Sequence, residues 1–332
     1  MRLKRRRERP AADAGPERRP RRAAAGWALV IHGGAGETVQ GAQDERRERA
    51  VREALARVLE EGAAALAAAA SSLDVVEQAV CALEDSPLFN AGRGAVFNAH
   101  GEHELEASIM DGRTLRAGAV ANLRGIKNPV TLARWVMERT PHVCLEGEGA
   151  IAFARAHGME LVGPDYFWTE HRWKALKAAR LHTQEEPGPP PEHGTVGAVA
   201  LDRRGDLAAA TSTGGRTNKL AGRVGDSSII GAGTYASNAS CAVSCTGHGE
   251  YFIRATVARD VCALMEYAGE DVRSAAVRVV SRRLARLGGK GGLIAVDRRG
   301  EIACVFNTGT MYRGAVTHDS DVRVALRRGK EL

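Results

Sequence analysis

Residues 189–202, PPPEHGTVGAVALD, set a proline-rich linker directly against a strand-like run, with Gly194-Thr195 at the seam. If the bond between these two residues breaks, Thr195 carries a hydroxyl and a free α-amine on one residue. An α-amine titrates near about 7.7–8.0, far below a lysine, so an appreciable fraction is a neutral base near pH 7. One residue then supplies both nucleophile and general base. Gly194 suits such a cut, because without a Cβ it can adopt the strained backbone that helps the Thr195 hydroxyl attack the carbonyl before it. The plainer alternative is a Thr195 that merely opens a strand, and on the seam alone it stands.

The surrounding sequence must hold that residue in place. Trp27–His32 reads as a first strand and the glycines of HGGAG as a tight turn. Residues 44–70 have apolar positions three and four apart, the mark of a helix. Ser71-Ser72-Leu73-Asp74 has the form of a capped helix start, and Asn128-Pro129 pairs a cap with a first-turn proline. HELEASIMDGRTLRAGAVANL reads as a hairpin turning on Asp111-Gly112, and a further helix covers Glu146–His157. After the seam, strand–DRRG–strand units begin at Thr195 and again near Leu293, with two helices between them over Glu250–Tyr267 and Asp271–Leu287. The short strands are apolar at successive positions, so both faces should be covered. This predicts an α+β fold, a four-layer αββα sandwich with antiparallel sheets. The expected division is a disordered basic tail over 1–25, a first part over 26–180, a linker over 181–194, and a second part of the same domain over 195–332.

The 332 residues are 44% hydrophobic and 26% charged, ordinary for a soluble globular protein. The net charge of +7 belongs to the tail: residues 1–22 hold ten Lys/Arg and three Asp/Glu, and the remainder holds 37 of each sign. The neutral body offers no basic patch to extend a nucleic-acid arm, which argues against nucleic-acid binding by residues 1–22. The longest purely apolar run, Ala63–Ala70, is too short to span a bilayer, and no signal sequence follows the arginines, so a cytoplasmic protein is expected. Cys81, Cys144, Cys241, Cys245, Cys262 and Cys304 show neither zinc spacing nor a disulfide framework.

Longer motifs now bear on Thr195. ALVIHGGAG, SPLFNAGRGAVFN, ELEASIMDG, HGTVGAVALD, AAATSTGGRTNKLAGRVGDSSIIGAGTYASN, AVSCTGHGE and FNTGTMYRG, in this order, resemble the plant-type asparaginase/isoaspartyl peptidase family of N-terminal nucleophile hydrolases. The resemblance is to its bacterial isoaspartyl peptidases and spans nearly all but the tail, the linker and the last residues. It implies autoproteolysis between Gly194 and Thr195, with Thr195 as nucleophile and Thr213 supporting it. It implies an oxyanion hole from the Thr246 hydroxyl and the Gly247 N–H, and substrate contacts from Arg223, Asp226, Gly249 and Asn90. The pairing of Arg223 with Asp226 has its own logic: a guanidinium forks onto a carboxylate and an Asp meets an ammonium, so together they read an amino-acid head group. The resemblance further implies a structural sodium held by main-chain carbonyls of Leu83, Glu84, Ser86, Phe89, Ala91 and Arg93, and no cofactor for catalysis. Its members imply assembly as (αβ)2 from chains 1–194 and 195–332.

The expected substrates are β-aspartyl dipeptides and L-asparagine, both releasing L-aspartate. A glycosylasparaginase of the same family remains an alternative, as does an uncut inactive scaffold whose tail binds nucleic acid. Two positions depart from the family pattern. Arg93 stands where an apolar residue is usual, and His248 stands between Gly247 and Gly249 where a small hydroxyl residue is expected. HGGAG lacks an accompanying GxSxG elbow, LGGKGG lacks the Ser/Thr of a phosphate loop, and His32, His100, His103 and His248 form no triad or metal pattern.

Overall fold

The computed structural model describes residues 26–37, 42–181 and 194–329. The basic tail and all but the ends of the 181–194 linker lie outside the described residues. In chain order the elements are β1 (Ala28–Gly36), α1 (Ala42–Ala67), α2 (Ser72–Glu84), β2 (Leu105–Asp111), β3 (Ala117–Leu123), α3 (Pro129–Arg139), β4 (Cys144–Glu146), α4 (Gly147–Ala156) and α5 (Glu170–Leu181). After the seam come β5 (Val196–Leu201), β6 (Leu207–Thr213), β7 (Thr234–Ala236), β8 (Cys241–Gly247), α6 (Gly249–Ala255) and α7 (Val257–Ala268). Then α8 (Val272–Val277, running on through a π-helical stretch Arg278–Leu284), β9 (Gly291–Asp297), β10 (Ile302–Phe306), β11 (Thr310–Thr317) and β12 (Ser320–Arg327) complete the chain.

One sheet has eight strands in the order β12-β11-β1-β5-β6-β2-β3-β4, and the other has four, β10-β9-β8-β7. The strands pair antiparallel except at the edge, where the short β4 runs parallel to β3. Alternation along each strand builds the layers. In β5, Val196, Ala198 and Ala200 face a core shared with α1, α2 and α3. Val199 and Leu201 face the second sheet, meeting Ala242, Ile294 and Val296. The outer face of the four-stranded sheet packs Val243, Cys245 and Leu293 against Phe252, Val261, Ala276 and Val280 of α6–α8. The result is the αββα sandwich, with the inner strands apolar on both faces.

Local chemistry explains most boundaries. The Ser71 hydroxyl accepts from the Asp74 N–H at 3.1 Å and caps α2. Both DRRG turns use one device: Asp202 Oδ1 accepts from the N–H groups of Arg204 and Asp206 at 2.9 and 3.1 Å. Asp297 Oδ1 does the same for Arg299 and Glu301 at 2.8 and 3.0 Å. Gly205 and Gly300 supply the left-handed residue each turn needs, at φ +81° and +84°.

Three expectations fail for identifiable reasons. HGGAG is no tight turn: β1 continues through it to Gly36 with a bulge after His32, and the Phe89 ring lies where a Cβ on Gly33 would sit. Asn128 does not cap α3, because its side chain donates to Glu84 and Asp85 and Glu84 Oε1 accepts the Val130 N–H instead, at 3.2 Å. The helix expected over Glu250–Tyr267 is broken at Thr256, whose φ of +47° lets α7 restart with its first N–H groups on the Gly231 and Ala232 carbonyls.

Candidate active site

Thr195 is the residue just before β5 and is only 4% exposed. The register Val196↔Ser212 and Glu106↔Thr213 sets Thr195 beside Thr213 and puts the start of β5 in line with β2. Thr195 Oγ1 donates to Thr213 Oγ1 at 3.3 Å, and Thr213 Oγ1 lies 3.5 Å from the Gly194 carbonyl oxygen. The Thr195 hydroxyl, a second hydroxyl that can relay a proton, and the carbonyl of the seam are thus contiguous. Thr213 is held in turn by the Gly215 N–H at 3.0 Å.

Asn90 fixes that loop from the other side of the seam. Its Nδ2 donates to the Gly215 carbonyl at 2.7 Å and its Oδ1 accepts from the Val96 N–H at 2.9 Å. Between them, a Cβ on Gly214 would lie 2.7 Å from Asn90 Oδ1 and from Ala95 Cβ, so the loop closes only on glycine there.

Thr246, fully buried at the end of β8, accepts the Ala35 N–H at 3.1 Å and keeps its own hydroxyl proton for another acceptor. Because β1 runs antiparallel to β5 with His32 opposite Gly197, the residues after His32 lie toward the Thr195 end. The bulge in β1 therefore brings Ala35, and with it Thr246, toward Thr195. Gly247 follows at φ +152°, and a Cβ there would sit 2.4 Å from the Lys290 carbonyl. Only glycine can turn its N–H this way beside β9.

The charged part lies on the loop after β6. Arg223 meets Glu250 at 3.0 Å and Glu106 at 3.8 Å. Asp226 is buried, and its Oδ2 has no hydrogen-bond partner among the described residues. Burial, then the neighbouring Glu106 carboxylate, pushes the Asp226 carboxyl up to about 7. Gly249 forms the floor between the two, since a Cβ there would lie 2.9 Å from both Arg223 Nη2 and Asp226 Oδ1. A guanidinium, a carboxyl oxygen without a partner among the described residues and a bare floor together have the chemistry to meet one carboxylate and one ammonium.

Glu106 was not among the expected site residues. It is 1% exposed, and both of its oxygens accept from the Gly225 N–H, at 3.1 and 2.9 Å. Ser228 Oγ donates to it at 3.0 Å. It therefore carries the Arg223–Asp226 loop while sitting across from Thr213. The signal available was an acidic residue within the strand motif ELEASIMDG, at a position where a covered strand admits a carboxylate only with partners.

His32 is buried between the sheets, and burial pulls its pKa down to about 3, so it is neutral. Its Nε2 lies 3.0 Å from Ser244 Oγ, which is 2.7 Å from Thr211 Oγ1. Thr234 Oγ1 continues this hydroxyl chain at 2.5 Å from Thr211, and Ser108 lies 2.7 Å beyond it. His248, between Gly247 and Gly249, is half-buried, with its N–H on the Lys290 carbonyl at 2.9 Å. Burial, then Arg216, lowers its pKa, favouring the neutral ring.

The loop after α2 keeps its carbonyls close. Cβ atoms on Gly92 and Gly94 would fall 2.4 Å from the Glu84 carbonyl oxygen and 2.1 Å from that of Phe89. The Arg93 side chain turns outward, its guanidinium 5.9 Å from the Tyr166 ring centre. Among the described residues no group of three or more His, Cys, Asp or Glu side chains could hold a metal, so a cation here would depend on carbonyls.

Comparison with known proteins matches the asparaginase family over residues 25–326. The isoaspartyl peptidase of Escherichia coli (strain K12) is 54% identical over 292 residues, covering 86% of this chain and 91% of the relative. A probable isoaspartyl peptidase/L-asparaginase 2 of Arabidopsis thaliana is 44% identical, covering 91% and 99%. The isoaspartyl peptidase/L-asparaginase of Mus musculus is 45% identical, covering 87% of each. Matched by the family over residues 25–326 and 44–54% identical to these relatives over most of its length, the chain belongs to the asparaginase family.

Proposed function

We propose that this protein is an autoprocessing threonine hydrolase that cleaves β-aspartyl dipeptides and L-asparagine, releasing L-aspartate in both cases. The observation that carries the reading is the buried Asp226 oxygen without a partner, beside Arg223 and over the Gly249 floor. An α-ammonium supplies what Asp226 lacks and an α-carboxylate takes the Arg223 fork. The side-chain carbonyl of an aspartyl unit held this way is then offered to Thr195.

Processing comes first. The Thr195 hydroxyl attacks the Gly194 carbonyl carbon, its proton passes by way of the Thr213 hydroxyl to the Thr195 nitrogen as the Gly194–Thr195 C–N bond breaks, and water hydrolyses the resulting ester to give the Gly194 carboxylate and a Thr195 with free hydroxyl and amine. In turnover that amine takes the hydroxyl proton, and Thr195 Oγ1 bonds to the substrate's side-chain carbonyl carbon. The oxyanion rests on the Thr246 hydroxyl and the Gly247 N–H, where loss of one donor typically costs about 3–4 kcal/mol. The tetrahedral intermediate expels the amine or ammonia, which takes back the proton. Water, deprotonated by the same amine, then cleaves the aspartyl ester.

The proposed working form is (αβ)2 from chains 1–194 and 195–332. A sodium ion on the main-chain carbonyls of residues 83–93 would stiffen the segment carrying Asn90; the convergence of the Glu84 and Phe89 carbonyls on Gly92 and Gly94 supports it. The test is intact mass of the incubated protein together with hydrolysis of β-aspartyl-leucine, asparagine and glycosylasparagine. Fragments of 194 and 138 residues, with aspartate released from the first two substrates, are expected. An uncut chain, or release from glycosylasparagine alone, refutes the reading.

A further inference from the structure

The guanidinium of Arg223 already holds a carboxylate. Glu250, on the first turn of α6 and one residue past the Gly249 floor, places Oε1 3.0 Å from both Nε and Nη2 of Arg223. One carboxylate oxygen thus spans an edge of the fork, an edge that a ligand's carboxylate would take. We propose that Glu250 is a resident occupant of the Arg223 fork, displaced onto Arg216 by an incoming α-carboxylate, and that this exchange sets the affinity for amino-acid head groups. The proposal rests on the reading of Arg223 and Asp226 as the head-group receptor.

The corners of the guanidinium have different neighbours. Nη1 is closed in by the loop: a Cβ on Gly225 would lie 2.7 Å from it and one on Gly215 3.3 Å, with Glu106 Oε1 at 3.8 Å. Nη2 faces the floor, where a Cβ on Gly249 would lie 2.9 Å from it and 2.9 Å from Asp226 Oδ1. A head group that bridges Arg223 and Asp226 across that floor must therefore use Nη2, the donor that Glu250 holds. The occupant is charged. Burial alone would raise the Glu250 carboxyl, but its own backbone N–H and Arg223 hold it below the ordinary glutamate value.

The two carboxylates beside Arg223 differ in freedom. Glu106 is buried and fixed by the Gly225 N–H and the Ser228 hydroxyl. The Glu250 side chain is 47% exposed, and its second oxygen lies 3.9 Å from Arg216 Nη1, just beyond a hydrogen bond. Arg216 is exposed on the loop that carries Thr213 and Gly215, and Glu250 is its one ion-pair partner among the described residues. Rotation about the Glu250 side-chain torsions, a fast motion for an exposed residue, exchanges Arg223 for Arg216. The ligand's carboxylate then takes the place that Glu250 gave up, so both guanidiniums stay paired throughout. A ligand that needs the fork open binds more weakly by the fraction of molecules in which Glu250 has left it.

The test is calorimetric titration of the incubated full-length protein with L-aspartate at constant ionic strength, beside steady-state hydrolysis of β-aspartyl-leucine. Wild type is compared with Glu250→Gln, which keeps the side chain's shape and removes its charge, with Arg216→Ala, and with the double variant. Glu250→Gln should tighten aspartate binding about twofold to fivefold, the scale of a half-exposed ion pair, and lower KM while kcat moves less. Arg216→Ala removes the alternative partner and should weaken binding, an effect that vanishes in the double variant. Weaker or unchanged binding in Glu250→Gln makes Glu250 a support for Arg223 and overturns the proposal, as does an Arg216→Ala effect that survives in the double variant. Wild-type protein that binds no L-aspartate refutes the head-group receptor itself, and this proposal with it.

Discussion

The two halves of the candidate site are built from opposite materials. Around Thr195 the groups are neutral: Thr213, Thr246, Asn90 and the Gly247 amide, with a histidine held uncharged beneath them. Around Arg223 the groups are acidic: Glu106 and Glu250 close on one guanidinium, and the buried Asp226 carboxyl lies across the Gly249 floor from it. Charge develops during reaction only in the first half, so donors fixed by the backbone are enough there and a permanent charge would favour one stage over another. The second half must hold an already charged head group against water, and that takes buried charge and the carboxylates to orient it. Rate should therefore be set in the neutral half, and affinity with its pH dependence in the ionic half.

The largest effect expected is at Thr195. Thr195→Ala leaves the chain uncut by intact mass and lowers turnover on the order of 10⁴-fold or more, the scale seen when a nucleophile is removed. Appreciable residual turnover would break the assignment. Thr246→Val in the mature enzyme removes one oxyanion donor, so kcat should fall about 10²–10³-fold with KM nearly unchanged in steady-state assays. A change confined to KM would place Thr246 with the ionic half.

Next comes pH. With the Asp226 carboxyl pushed up to about 7, the empty site loses its carboxylate as pH falls below that value. KM for a β-aspartyl dipeptide should rise toward tenfold per pH unit below 7 while kcat changes less, and Asp226→Asn should raise KM and flatten that profile. Glu106→Gln tests the support rather than the receptor. It should lower the pH at which KM begins to rise, because the neighbouring negative charge that helps keep Asp226 protonated is gone. An unmoved profile would sever Glu106 from the site.

The smallest effect lies under the neutral half. Burial pushes Glu84 up to about 8, against hydrogen bonds from Ser212 and Asn128. A carboxyl with a raised folded pKa binds more protons folded than unfolded between the usual carboxylate range and about 8, so its contribution to stability falls as pH rises through that window. Glu84→Gln should remove that slope in denaturant titrations with little change in kcat.

Much of this was legible in the sequence, though not evenly. The seam stands out by composition, but Thr213, Thr246 and the Arg223–Asp226 pair are marked out by the family resemblance rather than by residue type alone; both DRRG turns follow from one aspartate and one glycine. Alternation and helical spacing found the layers. What escaped depends on partners distant in sequence. Glu106 reads as one more charge until β2 lies beside β6, and Asn128 reads as a cap until Glu84 arrives from 44 residues earlier to take the Val130 N–H. Thr256 looks helical locally, and only the docking of α7 onto Gly231 and Ala232 breaks the helix there. The glycines of HGGAG signal close approach, but whether that serves a turn or a bulge is decided by β11 and Phe89.

The strand order has a consequence for how long the molecule lasts. Read across the larger sheet, β12-β11 come from after the seam, β1 from before it, β5-β6 from after, and β2-β3-β4 from before. Opening the Gly194–Thr195 bond therefore yields two pieces woven through one another, each supplying the neighbours the other's strands need. Such a pair has no path apart short of wholesale unfolding. Once apart, the pieces must find each other by collision, a route that dilution defeats. If the chain is cut there, assembly would be written in the uncut precursor and erased by the cut, and the two-piece particle would persist by the slowness of its opening rather than by any ability to re-form.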